Sequence, residues 1–310
     1  VLDGMAAGVP VDEAALAALM DRRRARGDGL STARVEADEI CILSGVAAGR
    51  TTGTPIALTI ANQNTRSADY AAAAARLRPG HADYTAWARY RGFQDARGGG
   101  HFSGRITAGL VAGGGIVLAA LARAGIRIGT HIARCAGIAD TPFAQDDPAA
   151  LAGQLDRLDA RGPAFALLDE AAEAPMQAAI RAAGAEGDSV GGVLETAVLG
   201  LPAGVGEPFF DSVESEIAHA AFAIPAVKGI EFGAGFGFAE LRGSEANDPL
   251  RIQNGRIYTE TNRNAGINGG LANGMPVLFR TVVKPTPSIY KEQRTVDYAA
   301  KENAALSIKG

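Results

Sequence analysis

The chain has 310 residues, 47% hydrophobic and 21% charged, with a formal net charge of −4. That is long enough for a large core, as one big domain or two, and too apolar for a disordered chain. The charge balance gives no general case for a nucleic-acid or membrane-surface partner, and no signal peptide is expected.

The opening VLDGMAAGVPVDEAAL (1–16) reads as a strand already under way, as in a trimmed sequence. VDEAALAALMDRRRA (11–25) combines an acidic first turn, apolar residues at helical spacing and a basic end, which predicts a helix. The basic run DRRRAR (21–26), with Arg34 nearby, is ordinarily a solvated helix end. Turned toward a cleft it becomes a clamp, because guanidinium forks match carboxylate and phosphate. EICILSGVAAGRTTGTPIALTIAN (39–62) places short β-prone runs around Gly-Arg-Thr-Thr-Gly and predicts a hairpin.

RPGHADYT (78–85) presents His81 on a Pro-Gly turn with Asp83 two residues on. Such a histidine serves as a general acid or simply as a hydrogen-bonded turn residue. RGGGHFSGRIT (97–107) runs three glycines into His101, Ser103 and Arg105 ahead of a helix start. This is either an anion site or a tight structural turn. Neither a GxGxxG nor a Walker lysine accompanies it. ITAGLVAGGGIVLAALARAG (106–125), apolar almost all round, predicts a buried helix whose glycines 113–115 admit another backbone. Like the other Gly/Ala-rich runs it reads as too weak for a membrane span.

RIGTHIARCAGI (127–138) predicts a strand, and the polar FAQDDPAALAGQLDRLDARGPAF (143–165) a surface excursion. Helix 174–187, strand 189–202 and a helix with an acidic start at 212–224 follow. Segments 227–245 and 275–289 predict strands with glycine corners. Between them NAGINGGLANGMP (264–276) is too rich in Gly and Asn for an ordinary strand or helix. It implies close backbone approach to a planar ligand or another subunit. Lys284, Thr286 and Ser288 then offer one cation and two hydroxyls beside stiff prolines. Cys41 and Cys135 lack CxxC or metal-ligand spacing; both are expected as buried reduced thiols, and no metal site is expected. The elements alternate without a βαβ rhythm or a linker, which predicts a single α+β domain over 1–310.

DRRR, LSGVAAGRTTGTPIAL, RPGHADYT, RGGGHFSGRITA, GVGEPFFDSVESEIAHA, AVKGIEFGAGF, NGGLANGMP and KPTPSI stand in the order and approximate spacing seen in chorismate synthases. The chain resembles that family over essentially its whole length. The resemblance implies a β-α-β sandwich of antiparallel sheets flanked by helices, a cytoplasmic homotetramer, and a lyase of the shikimate pathway of aromatic amino acid biosynthesis. The implied reaction is a 1,4-anti elimination of phosphate from 5-enolpyruvylshikimate 3-phosphate. It gives chorismate and requires reduced FMN without net redox change.

By the same resemblance His81 is the catalytic histidine near the flavin. His101, Phe102, Ser103, Pro225, Ala226, Gly269 and the run Lys284, Pro285, Thr286, Pro287, Ser288 contact FMN, and Arg23 and Arg105 bind substrate. His-Phe-Ser replaces the Arg-Ser-Ser of many members, and RGDGL (26–30) lacks a second substrate arginine found downstream in many of them. Two family segments, Gly-Glu-Ser-His-Gly and Arg-His-Asp-Pro, have no counterpart between Val1 and Gly310. The stretch is therefore expected to be the ordered part of a longer flavoprotein. A non-catalytic relative that keeps only the flavin surface is the alternative. The family contains both members that reduce their own flavin with NADPH and members served by a separate reductase.

Overall fold

The computed structural model describes residues 1–25, 27–31, 36–62, 75–95 and 97–308, with backbone only at 97–99. Arg26 and Arg34 of the predicted arginine group lie outside the described residues.

Five antiparallel strands form the central sheet: β5 (Arg127–Cys135), β6 (Ile138–Ala139), β7 (Gly192–Leu199), β8 (Val227–Phe232) and β13 (Val277–Val283), in the order β6-β5-β7-β13-β8. Alternation assigns each residue a face. Gly129, Ala197 and Leu278 lie abreast on one face, while Ile128, Val198 and Val277 lie abreast on the other.

The first face is covered by helix α4 (Pro148–Ala160), which buries Leu151, Leu155 and Leu158 with Phe143 against Ala197 and Leu278. Gly129 makes the approach possible, since a Cβ there would stand 2.5 Å from Leu155 Cδ2. The polar stretch 143–165 is thus core, not the predicted surface excursion. Its polar residues hide a Leu151-Leu155-Leu158 stripe at helical spacing, started by Asp147 as N-cap and Pro148 at the first position. The second face packs on helix α6 (Val213–Phe222), capped by Ser212, with Val213, Ile267, Phe232 and Phe279 around Val198 and Val277. Helix, sheet and helix together make the α+β arrangement expected.

A buried polar row crosses the first face. His131 faces Asp140 at Nδ1 (2.7 Å) and Glu195 at Nε2 (3.0 Å), and its ring is fully buried. The Phe143, Leu168 and Asp169 amides donate to those two carboxylates at 2.8 Å. The row ties the 140–143 and 165–169 loops to the sheet. Helix α5 (Glu173–Ala185) follows those loops and buries Met176 beside Cys135 and Leu167.

A second cluster carries the N-terminal third. Helix α1 (Glu13–Arg23) starts at the Asp12 cap and lies on helix α3 (Thr107–Arg123). Two small hairpins, β1 (Ile40–Ile42) with β4 (Leu58–Ile60) and β2 (Val46–Ala47) with β3 (Arg50–Thr51), close around Val11, Leu16, Ile56 and Ile116. The predicted opening strand reduces to single bridges, Leu2 with Ile56 and Pro10 with Arg50.

Helix α3 forms where predicted but is not buried all round. Ala108, Ala112 and Ile116 are buried, whereas Leu110 and Leu118 are exposed. Of glycines 113–115 only Gly115 admits a neighbour, and that neighbour is the Leu16 and Leu19 side chains rather than a backbone; Gly113 and Gly114 face open space. Residues Gly104–Arg123 are also, by length and apolarity alone, sufficient to cross a membrane, against expectation; a soluble core helix passes the same test. Both cysteines are free, but Cys41 is exposed on edge strand β1, where alternation turns it outward; only Cys135 is buried.

The Gly/Asn-rich stretch does form a strand pair, though a minimal one: β11 (Ile267–Asn268) and β12 (Leu271–Ala272). Its close approaches are internal. A Cβ at Gly266 would meet the Met275 and Pro276 carbonyls, and one at Gly270 the Ser212 side chain. Downstream of β8 the chain makes 3-10 turns and helix α7 (Gly243–Ala246), then the outlying hairpin β9 (Leu250–Gln253) and β10 (Arg256–Thr259). The last pair is β14 (Gln293–Asp297) with β15 (Glu302–Leu306).

Candidate active site

The Pro79-Gly80 turn sets His81 just ahead of helix α2 (Asp83–Tyr90). Gly80 needs its freedom: φ is +70° and a Cβ would press to 3.1 Å from Pro287. Asp83, first residue of α2, accepts from Arg78 N (2.9 Å), Nε (2.8 Å) and Nη2 (2.8 Å), and its Oδ1 lies 2.8 Å from His81 Nδ1. Burial alone would raise the Asp83 carboxyl. The His81 and Arg78 hydrogen bonds outweigh it and hold the group well below the usual carboxylate range. Arg78 Nη2 also approaches His81 Nδ1, at 3.2 Å, but the ionised Asp83 stands closer and favours the proton on Nδ1, which leaves Nε2 to exchange a proton.

The arm after β13 docks on this turn. Lys284 Nζ donates to the Gly80 carbonyl at 2.5 Å, across 204 positions of sequence, and its backbone N–H donates to Ala226 O at 3.0 Å. Three predicted segments, 78–83, 225–226 and 284–288, therefore meet at one lysine. No ion pair among the described residues neutralises Lys284. Its only bonded acceptor there is an uncharged carbonyl, which leaves its charge and two donors for an anion. Pro285 packs on Gly191, and Thr286 O accepts from Ser189 Oγ at 2.8 Å, so the arm is tied down on both sides.

Arg23 and Arg105 converge as well, from the last turn of α1 and the 3-10 turn Gly104–Ile106 ahead of α3. Both guanidiniums bond the Asp38 carboxylate, Arg23 at Oδ2 and Arg105 at Oδ1, and Arg105 Nη2 also reaches Glu36 Oε2 at 2.7 Å. The acids are buried and the arginines half-buried.

The chorismate synthase family model matches residues 1–310. The chain belongs to that family. Chorismate synthases of Dehalococcoides mccartyi strain 195, Methanosarcina acetivorans and Thermococcus kodakarensis are 44%, 44% and 42% identical to it across the whole chain. The matches cover 83%, 82% and 84% of those relatives. A solved structure titled as a crystal structure of chorismate synthase superposes with a TM-score of 0.75 at 27% identity, over 92% of this chain and 79% of that one. The fold is accordingly the α+β fold of a chorismate synthase, and the chain is a lyase of the chorismate synthase type.

Not every residue expected from the chorismate synthase resemblance joins these clusters. Arg97–Phe102 is a 3-10 turn in which Gly100 has an internal reason to be glycine: φ is +50°, and a Cβ would collide with the Asp95 carbonyl. His101 and Phe102 are exposed, with Phe102 against Tyr90 of α2 (ring centroids 6.5 Å). Ser103 Oγ accepts from Arg105 N at 3.2 Å and so caps the turn that aims Arg105. Pro225 precedes Ala226, whose φ of +72° is unusual for a non-glycine residue. Gly269 sits in the β11–β12 turn, and no hydrogen bond among the described residues joins it to Lys284. Three contributors escaped the sequence reading: Arg78, Glu36 and Asp38. Their only trace is an acidic alternation in EADE (36–39) and an arginine three residues ahead of His81.

Proposed function

We propose that this chain is a chorismate synthase that eliminates phosphate from C3 and hydrogen from C6 of 5-enolpyruvylshikimate 3-phosphate, in the 1,4-anti sense, giving chorismate and phosphate. The observation that carries this reading is the pairing of Lys284, which has no acid partner among the described residues, with the Asp83-oriented His81 on one turn. Anion binding and a proton-exchanging nitrogen are thereby side by side. Arg23 and Arg105 bind the anionic groups of the substrate with guanidinium forks.

The donor set, Lys284 with the hydroxyls of Thr286 and Ser288 on a tethered arm, suits the phosphate and polar ring edge of FMN. His101, Phe102, Ser103, Pro225, Ala226, Gly269 and Lys284–Ser288 would hold it. Reduced FMN bound there would supply electron density for the departure of phosphate, with no net redox change. His81 holds or delivers a proton at Nε2, with Asp83 fixing the ring. NADPH as reductant, a homotetrameric assembly, a cytoplasmic location and a single domain over 1–310 belong to the same reading and rest on family membership.

The test is an anaerobic reaction with 5-enolpyruvylshikimate 3-phosphate and chemically reduced FMN, reading chorismate absorbance and released phosphate together. Both products in equal amount are expected. Flavin binding without either product would replace the proposal with a non-catalytic relative.

A further inference from the structure

We propose that Asp38, supported by Glu36, is a positioning residue that locks Arg23 and Arg105 into one anion clamp. The inference rests on the reading above that this site takes a phosphorylated substrate, and it adds what makes the arginine pair possible. The two guanidiniums sit on the two oxygens of a single carboxylate, so their charges are within a few ångström of each other in a half-buried setting. Like charges that close repel strongly where solvent screening is reduced. Left alone, two long arginine side chains from different helical elements would part and take separate rotamers.

Asp38 removes that repulsion from beneath. It is 5% exposed and its backbone is held at φ +51°, a conformation an aspartate adopts at local cost. Glu36, two positions earlier and 8% exposed, takes the second nitrogen of Arg105 at 2.7 Å and stops it rotating about its bond to Asp38. Arg24 Nη2 donates to the carbonyl of Ala37 at 2.7 Å, which pins the backbone between the two acids. Arg23 makes no other side-chain bond among the described residues, so its Nε and Nη2 donors remain for a ligand. Among themselves Arg23, Arg105, Asp38 and Glu36 carry no net charge. The clamp offers an anion a fixed array of donors, and the array exists only while the carboxylate holds both forks.

The experiment is isothermal calorimetry of 5-enolpyruvylshikimate 3-phosphate and, separately, inorganic phosphate. It omits flavin so that no turnover occurs, and it uses wild type, Asp38→Asn, Glu36→Gln, and Arg23→Ala and Arg105→Ala alone and together in both the wild-type and Asp38→Asn backgrounds. Asp38→Asn should weaken binding of the phosphorylated substrate about tenfold or more, the loss associated with a charged hydrogen bond. Glu36→Gln should do so less. The two arginine substitutions should be strongly non-additive in wild type and additive in the Asp38→Asn background, a readout that a merely structural role would not move.

Wild-type affinity in a folded Asp38→Asn protein overturns the proposal, as does additivity in the wild-type background. If Asp38→Asn fails to fold, Glu36→Gln carries the decision, and unchanged substrate affinity there overturns the clamp. Wild type that binds inorganic phosphate through coupled arginines, but not the enolpyruvyl substrate, upholds the clamp and removes the proposed substrate. Wild type that binds neither anion overturns the clamp itself.

Discussion

Asp83 accepts from three donors of Arg78 and faces His81 Nδ1, so its carboxyl is ionised far into the acid range. A carboxyl depressed in the folded state contributes stability above its unfolded value near pH 4, and that stability is lost as pH falls toward the folded value. Thermal unfolding of Asp83→Asn should therefore lie below wild type at neutral pH, and the two curves should converge as pH drops below about 4. In steady-state assays the same substitution should lower kcat about a hundredfold, more than it alters KM, because an amide no longer fixes the His81 tautomer. Lys284 has no acid partner among the described residues, and Lys284→Met should weaken FMN binding about ten- to a hundredfold by flavin fluorescence titration. His81 and Lys284 were legible as residue types beside Gly and Pro. That they share a turn was not, because the bond between Lys284 and that turn spans 204 positions.

Among the elements, α4 packs directly on the sheet. Leu155 is 2% exposed and lies over Gly129, where a side chain would collide with it. Leu155→Ala should cost about 2–5 kcal/mol in urea denaturation and leave substrate affinity unchanged. Helix boundaries followed their local signals closely: Asp12, Asp147 and Ser212 each cap the helix they precede. What those signals omit is which face of an element is covered. A polar-looking helix proved to be core and an apolar one, α3, kept exposed leucines, since burial depends on neighbours that the segment does not contain.

For the molecule as a whole, stability should be uneven. Strands β7 and β13 are central in the sheet, whereas β9 and β10 form a separate pair with Leu250, Ile252 and Ile257 exposed at 73%, 78% and 66%. A lone two-stranded hairpin is marginal in water. Hydrogen exchange should protect 192–199 and 277–283 longest and 250–259 least, with protection factors differing by several orders of magnitude if the sheet opens only globally. Equal exchange across both regions would show that the hairpin is held by contacts outside this chain.

The sequence by itself determined helices α1, α3, α5 and α6 and strands β5, β7, β8 and β13, though not α4 or the β11–β12 pair, because capping, periodicity and glycine turns act within a few residues. It also determined family membership, because eight motifs in order leave little freedom. Tertiary structure alone decided the pairings. Nothing in the order of residues says that Arg23 and Arg105 share Asp38, or that Lys284 rests on Gly80. Charge names a kind of partner; only packing brings one particular partner within hydrogen-bond reach.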